Sequence, residues 1–483
     1  MNGFCFASAT DLARAVRREE VSPVAVTERY LDRIAGRNDE RRAYVTVVAD
    51  EARERAREIE AAVATGEEVG PLAGVPVGIK DLFALRAGTR HTFGSELFAD
   101  FVPDRSAPVV ERLEAAGAVV LGKTNAPEFG NRPTTDNAIL GTTTTPFGEG
   151  LTAGGTSGGS AAAVADGMAA LAQGSDAGGS VRIPAACCGV VGLKPSFGRV
   201  PNGSRPNAFA EHTPFTQHGP LARTVADAAL FLDVTAGPHP ADPHTLPAGG
   251  RYRDALDRDV SGWSVAWSPD LDLVPVDPDV RERVRETLDA LAAAGASVER
   301  VTLDYDHDPG TVKDAWRTFF QVLIADVGET LADEYGVDLD DDRVDALFKR
   351  VHEAGERHSA LDVRRADRVR TDVFDAVQSV LAEHDLLATP TLSVTPFDAT
   401  EYGPTEIDGR EADPFVDWLL TWPFNMTDHP AISVPAGPVS GLPTGLQFVG
   451  RRHADGDVLA AAAAVEADHP WHDAYPGAGA GVR

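Results

Sequence analysis

Residues 154–189 read GGTSGGSAAAVADGMAALAQGSDAGGSVRIPAACCG. Glycines and hydroxyl side chains gather in two short clusters joined by an alanine-rich run. Such clusters cradle an anion, bring backbone amides up to a reacting carbonyl, or simply turn the chain. The flanking pattern indicates the scaffold. APVVERLEAAGAVVLGKTN (107–125) alternates a helix with a buried strand, and PLAGVPVGIKDLF (71–83) is a short β-type run ending on Lys80. Upstream, SATDLARAVRR and SPVAVTERYLDRIAGRN open on cap-type serines, the second with Pro23 in its first turn. EARERAREIEAAVATG is an amphipathic helix closed by Gly66. WSVAWSPDLD, DVRERVRETLDALAAAG and SVERVTLDY read as strand, helix and strand, 311–385 as mostly helical, and 400–414 as a polar loop. PAISVPAG and GLPTGLQFVGR read as late strands. No internal repeat is visible. The expectation is one α/β domain over 1–483, with a helical segment at 1–70 and a variable peripheral layer at 237–415.

Composition narrows the function. Acidic residues number 74 against 44 basic ones, a net charge of −30. The lysines are Lys80, Lys123, Lys194, Lys313 and Lys349; every other basic residue is arginine. An acid-rich, lysine-poor surface fits a cytoplasmic protein of a salt-accumulating halophile, where salt screens self-repulsion. It disfavours direct nucleic-acid binding, which needs clustered Lys and Arg. No apolar run is long enough for a membrane span, and the N-terminus lacks the basic start of a signal peptide. Cys5, Cys187 and Cys188 form neither a disulfide framework nor a zinc pattern; the adjacent pair reads as packing residues.

Several chemistries fit poorly. GGTSGGSAAA has no P-loop lysine, and no dinucleotide fingerprint follows a strand. Gly155-Thr156-Ser157-Gly158-Gly159 matches the G-x-S-x-G elbow of α/β-hydrolases, with His429 as its best histidine, but the segment before it is not a convincing strand. No serine lies three residues before any lysine. DYDHDPG imitates an EF-hand start but has Pro309 and Ala315 where glycine and glutamate are needed. No metal or other cofactor is expected. What remains is a serine nucleophile served by a lysine base. Ser180, after Ala177-Gly178-Gly179, can place its hydroxyl on a nest of amides. Lys80, ending an apolar run, is where burial disfavours the ammonium. The alternative for Lys80 is a strand-end lysine paired with Asp81.

The stretch 154–200 closely resembles the signature of the amidase signature family. LAGVPVGIKDLF resembles its lysine motif, and GAVVLGKTNAPEFG and PAISVPAGPVSGLPTGLQFVG resemble two further blocks. The resemblance is strong over 8–236, returns at 420–450 and is weak between. It implies a large twisted mixed sheet wrapped by helices and a Ser–Ser–Lys triad. Ser180 falls on the nucleophile and Lys80 on the base. The bridging hydroxyl, twenty-four residues before the nucleophile, is Thr156 rather than serine, with Ser157 as a possible substitute relay; the family's bridging residue usually follows a cis peptide bond. The amides of Ala177, Gly178, Gly179 and Ser180 would form the oxyanion hole. Asp176 and Arg182 would brace the turn as a structural pair. The implied activity is hydrolysis of an amide C–N bond through an acyl-enzyme. Alternatives are the A subunit of a glutamine-dependent tRNA amidotransferase and a catalytically silent binding protein. In DWLLTWPFNMTDHP, Trp418 or Leu419 stands near the place of the A subunit's acidic residue, with Asp417 adjacent. The expected partners are a small-molecule amide and a possible second copy of the chain, with no nucleic acid or membrane bound directly. An acyl pocket is expected from the middle region and from loops 125–140 and 417–429, with Phe129, Trp418 and Trp422 hinting at an apolar acyl group.

Overall fold

The computed structural model describes residues 3–210 and 216–478. The chain opens with α1 (Ala9–Arg17) and α2 (Pro23–Arg41), each started by a serine, Ser8 or Ser22, that accepts from a backbone amide of the first turn. Next come β1 (Tyr44–Val47), α3 (Ala49–Ala64), β2 (Pro76–Lys80), α4 (Pro108–Ala115), β3 (Val119–Thr124), α5 (Gly158–Ala165), β4 (Leu171–Asp176), α6 (Arg182–Cys188), β5 (Val191–Lys194), β6 (Gln217–Ala222) and α7 (Val225–Thr235). The middle of the chain supplies β7 (Ser264–Trp267), α8 (Pro278–Ala293), β8 (Ser297–Arg300), the long helices α9 (Pro309–Tyr335), α10 (Ala346–Glu356) and α11 (Ala360–Glu383), and β9 (Leu386–Pro390). The stretch 400–414 is not all loop: β10 (Glu406–Ile407) and β11 (Arg410–Glu411) pair around Asp408-Gly409, a dipeptide suited to a tight hairpin. The chain ends with α12 (Pro423–Met426), β12 (Ala431–Val439), β13 (Leu442–Gly450) and α13 (Asp455–Asp468).

Eleven strands form one mixed sheet in the order β1-β3-β2-β4-β6-β5-β12-β13-β9-β7-β8. Strands β2, β3, β4, β5, β6 and β9 are buried at every position. A sheet covered on both faces buries its strands from end to end, here including polar positions such as Gln173 and Asp176 on β4. This single α/β domain is the predicted fold class, and β7, β8 and β9 show that the middle region completes one edge of the sheet. Among the described residues no helix is long and apolar enough to cross a membrane.

Buried charge ties α2 to the connection between α5 and β4. Arg33, Arg37 and Arg41, one turn apart on α2, reach the fully buried Asp166 carboxylate beyond α5 at 2.6, 2.9 and 2.9 Å. Three of the five lysines, Lys80, Lys123 and Lys194, are also buried. Strands β2 and β4 are parallel neighbours, pairing Val77 with Leu171 and Ile79 with Gln173, so their carboxyl ends open on the same side. Ligand sites of α/β sheets gather at such ends.

Candidate active site

Lys80 is the last residue of β2; its backbone amide donates to Gln173 Oε1 at 3.1 Å. Its Nζ donates to Thr156 Oγ1, and to Ser175 Oγ at 2.9 Å. Burial holds the Lys80 ammonium well below the ordinary lysine range, opposed by the nearby Asp176 carboxylate. Asp81 takes no part: its carboxylate accepts from Thr92, so it is not the partner of Lys80. Thr156 lies in the loop that leads into α5, just before its N-cap Ser157. The only cis peptide bond among the described residues is Arg205–Pro206, so the bond before Thr156 is trans, the ordinary form for a non-proline residue, and not the cis bond the family pattern implied.

Ser180 stands on the turn between β4 and α6. Two glycines there are fixed by close approach. A Cβ on Gly178 would lie 2.7 Å from Trp316, and one on Gly179 2.0 Å from Thr421 Oγ1; Gly179 also has φ +123°. Thr421 Oγ1 donates to Gly178 O at 2.7 Å and clamps the turn. The predicted four-amide oxyanion hole needs correction. Gly179 N donates to Asp176 Oδ1 at 2.8 Å, so it is committed to the carboxylate that anchors the turn. Among the described hydrogen bonds none engages the amides of Ala177, Gly178 or Ser180.

Beneath the turn Asp176 and Arg182 are both buried. Nε and Nη2 of Arg182 each donate to the carboxylate at 2.9 Å. The remaining guanidinium hydrogens go to Thr421 O, Gln447 Oε1 and Asn425 Oδ1 at 2.9, 2.7 and 2.7 Å, so all five donors are used. Burial would raise the Asp176 carboxyl; Arg182 and Asn425 overcome it and hold it at about 2.

Ser180, Thr156, Ser175, Ala177 and Gly178 lie along a cavity of about 260 Å³. Phe129 and, from α9 and α10, Trp316, Phe320, Ile324, Leu347 and Val351 give it an apolar wall, with Arg132, Arg317, Gln321 and Asp413 as polar groups in the lining. Of the aromatic side chains singled out in the sequence, Phe129 is on this wall. Trp418 and Trp422 are fully buried and absent from the lining. They are core, Trp422 stacking behind Trp316 at 5.8 Å. Trp316 had no local signal, because its facing depends on how α9 packs against α10, α11 and the distant Ser180 turn. Ser175 and Thr421 also escaped the sequence reading. Ser175 could have been suspected as a hydroxyl at the end of a buried strand next to Asp176.

Other candidates fall elsewhere. Ser157 is fully buried and donates to Ser175 O at 3.2 Å; among the described hydrogen bonds none joins it to Lys80, and it is absent from the cavity lining. It braces the end of β4, and the element before it in the chain is a short 3-10 turn rather than the strand an elbow needs. His429 is buried between Thr427 and Gln378. Burial pushes the Cys187 thiol well up and that of Cys188 to about 12, which keeps both inert. Among the described residues one grouping could hold a metal ion, Glu329, His352 and Glu356, and it is not part of the cavity lining.

Comparison with known proteins agrees with this geometry. The family model described as Amidase matches residues 25–459. An acylamidase of Rhodococcus erythropolis is 40% identical over 97% of each chain. The A subunit of the glutamyl-tRNA(Gln) amidotransferase of Carboxydothermus hydrogenoformans is 34% identical over 98% of this chain and 99% of its own. Among solved structures, a bacterial aryl acylamidase of the amidase signature enzymes superposes with TM-score 0.92 at 36% identity, over 97% of this chain and 98% of that one. A 6-aminohexanoate cyclic dimer hydrolase superposes with TM-score 0.86 at 31% identity, over 97% and 98%. With a family model spanning most of its length and relatives matching nearly end to end, the chain belongs to the amidase signature family and is an amidase.

Proposed function

We propose that this amidase hydrolyses amides carrying an apolar, preferably aryl, group, with Ser180 as nucleophile, Thr156 as proton relay and Lys80 as base. One observation carries the reading. A fully buried lysine amine meets the Thr156 hydroxyl, and Ser180 stands on the same cavity beside three amides that no described hydrogen bond engages. Neutral Lys80 takes the Thr156 proton as Thr156 takes that of Ser180. Ser180 Oγ then attacks the carbonyl carbon, and the amides of Ala177, Gly178 and Ser180 receive the oxyanion. The same relay returns the proton to the leaving amine, and water releases the acyl group. Ser175 fixes the amine, and the Asp176–Arg182 pair holds the turn. The apolar wall and the similarity to an acylamidase and an aryl acylamidase support the substrate class. The acidic, lysine-poor composition supports action in a salt-rich cytoplasm.

The test treats the chain, in molar KCl, with a fluorophosphonate and with a chromogenic acyl anilide. Label on Ser180, lost in Ser180→Ala together with turnover, is expected. Label on Ser157, or none on a folded parent, overturns the assignment. The relatives named as A subunits of amidotransferases favour a second reading. Against it, Asp417 is turned onto Lys313 at 2.5 Å, and Val416 and Leu419 line the cavity beside it. Glutaminase activity appearing only with a second subunit would support that reading.

A further inference from the structure

The helices that wall the cavity carry a second cluster of chemistry. His352 and Glu356 are one turn apart on α10, and Glu329 faces them from α9. His352 Nε2 lies 3.8 Å from Glu329 Oε1, and Nδ1 lies 3.6 Å from Glu356 Oε2. One donor atom from each of the three residues falls within 4.8 Å of the others. The two glutamates are exposed, so their carboxylates can adjust, whereas His352 is 7% exposed and its Nε2 has no hydrogen-bond partner. A buried ring nitrogen without a partner is costly unless something else engages it.

The backbone has been shaped around this ring. Gly328 lies in the interior of α9, where glycine is disfavoured relative to alanine. A Cβ there would stand 2.1 Å from His352 Cδ2 and 2.6 Å from Nε2. Gly355 on α10 does the same for the helix crossing, since its Cβ would lie 2.1 Å from Gln321 O. The close approach of α9 and α10 thus brings an imidazole and two carboxylates together across their seam.

We propose that Glu329, His352 and Glu356 form a site for one divalent transition-metal ion that ties α9 to α10. One imidazole and two carboxylates suit zinc, cobalt or nickel, with water completing the shell. Around an ion on His352 Nε2 with metal–ligand bonds of about 2.0–2.2 Å, donor atoms stand roughly 3.3–3.6 Å apart, so the exposed carboxylates of Glu329 and of Glu356, now beside Nδ1, turn toward Nε2 to reach it. Val327 and Val351, chain neighbours of Gly328 and His352, line the reaction cavity, so the ion would stiffen the wall that receives the substrate.

The test is titration of the full chain with cobalt(II) chloride in molar KCl, read by visible absorption and by thermal melting. The parent is expected to bind one equivalent and to melt higher with the ion. His352→Gln, and separately Glu329→Gln combined with Glu356→Gln, should weaken binding by about 100-fold and abolish the shift in melting. Asp342→Asn, an exposed acidic position in the loop before α10, should change neither. The glutamate pair is exposed, so its double variant reports even where His352→Gln folds poorly. Absence of saturable binding, or binding that survives in the glutamate double variant, overturns the proposal: the first leaves a histidine bracketed by two carboxylates, the second a diffuse acidic surface.

Discussion

Below the cavity, Ser180 rests on a turn whose polar groups are fastened several times over. Asp176 accepts from Gly179 N, Val181 N, Arg182 and Asn425, and Thr421 clamps Gly178. Above it, α9 and α10 present Trp316, Ile324, Leu347 and Val351, held by apolar contact and a close helix crossing. Fixed dipoles aimed at a developing charge stabilise a transition state only if they do not reorganise. An apolar wall is non-directional and tolerates exchange of side chains of similar volume. On the proposed reading, one half of the site sets the reaction and the other selects what enters.

The sharpest break of this comparison is Ser180→Ala. It should lower kcat by about 10⁵-fold or more in a steady-state assay, while an apolar inhibitor still binds the untouched wall. Lys80→Met should be comparably inactive yet melt at a higher temperature. Its folded-state pKa lies below the unfolded value, so the unfolded chain binds the extra proton and stability is lost as pH falls. The gain over the parent should therefore grow as pH falls from the ordinary lysine range to the folded-state pKa and level off below it, and a melting series against pH checks it. The same sign gives the parent an activity that falls as pH drops through the Lys80 pKa.

Thr156 tests the relay within the polar half. Thr156→Ala should cost about 10²–10⁴ in kcat, whereas Thr156→Ser keeps the hydroxyl and should stay near the parent. Arg182→Met should leave Asp176 buried without its cation and destabilise the fold by about 3–5 kcal/mol in urea unfolding. The smallest effect belongs to the wall. Trp316→Ala should change the preference between aryl and small acyl anilides by about 1–3 kcal/mol in kcat/KM. A larger fall in kcat for every substrate would show that the wall also positions the turn, through the contact of Trp316 with Gly178, and would dissolve the division.

Much of the polar half is written locally. Ser180, its glycines, the Asp176–Arg182 spacing and the Thr156 hydroxyl lie within one short stretch, and Lys80 marks itself as a lysine ending an apolar strand. Serine caps and buried strands place α1, α2, β2 and β3 in the same way, because caps and strand burial depend on neighbours a few residues away. What the sequence determined by itself is thus the α/β class, the residues proposed to carry the chemistry and the acidic, lysine-poor composition.

Tertiary structure decided the rest. It committed the Gly179 amide to Asp176, put Ser175 against Lys80, turned Ser157 away from the cavity, and chose Trp316 rather than Trp418 or Trp422 for its wall. It also brought His352 to Glu329 across a helix seam. Trp316 meets the Ser180 turn from more than a hundred residues away. Which face of a helix a side chain occupies follows from local periodicity, but what that face meets depends on how distant elements cross, and that is fixed only when the whole core packs at once.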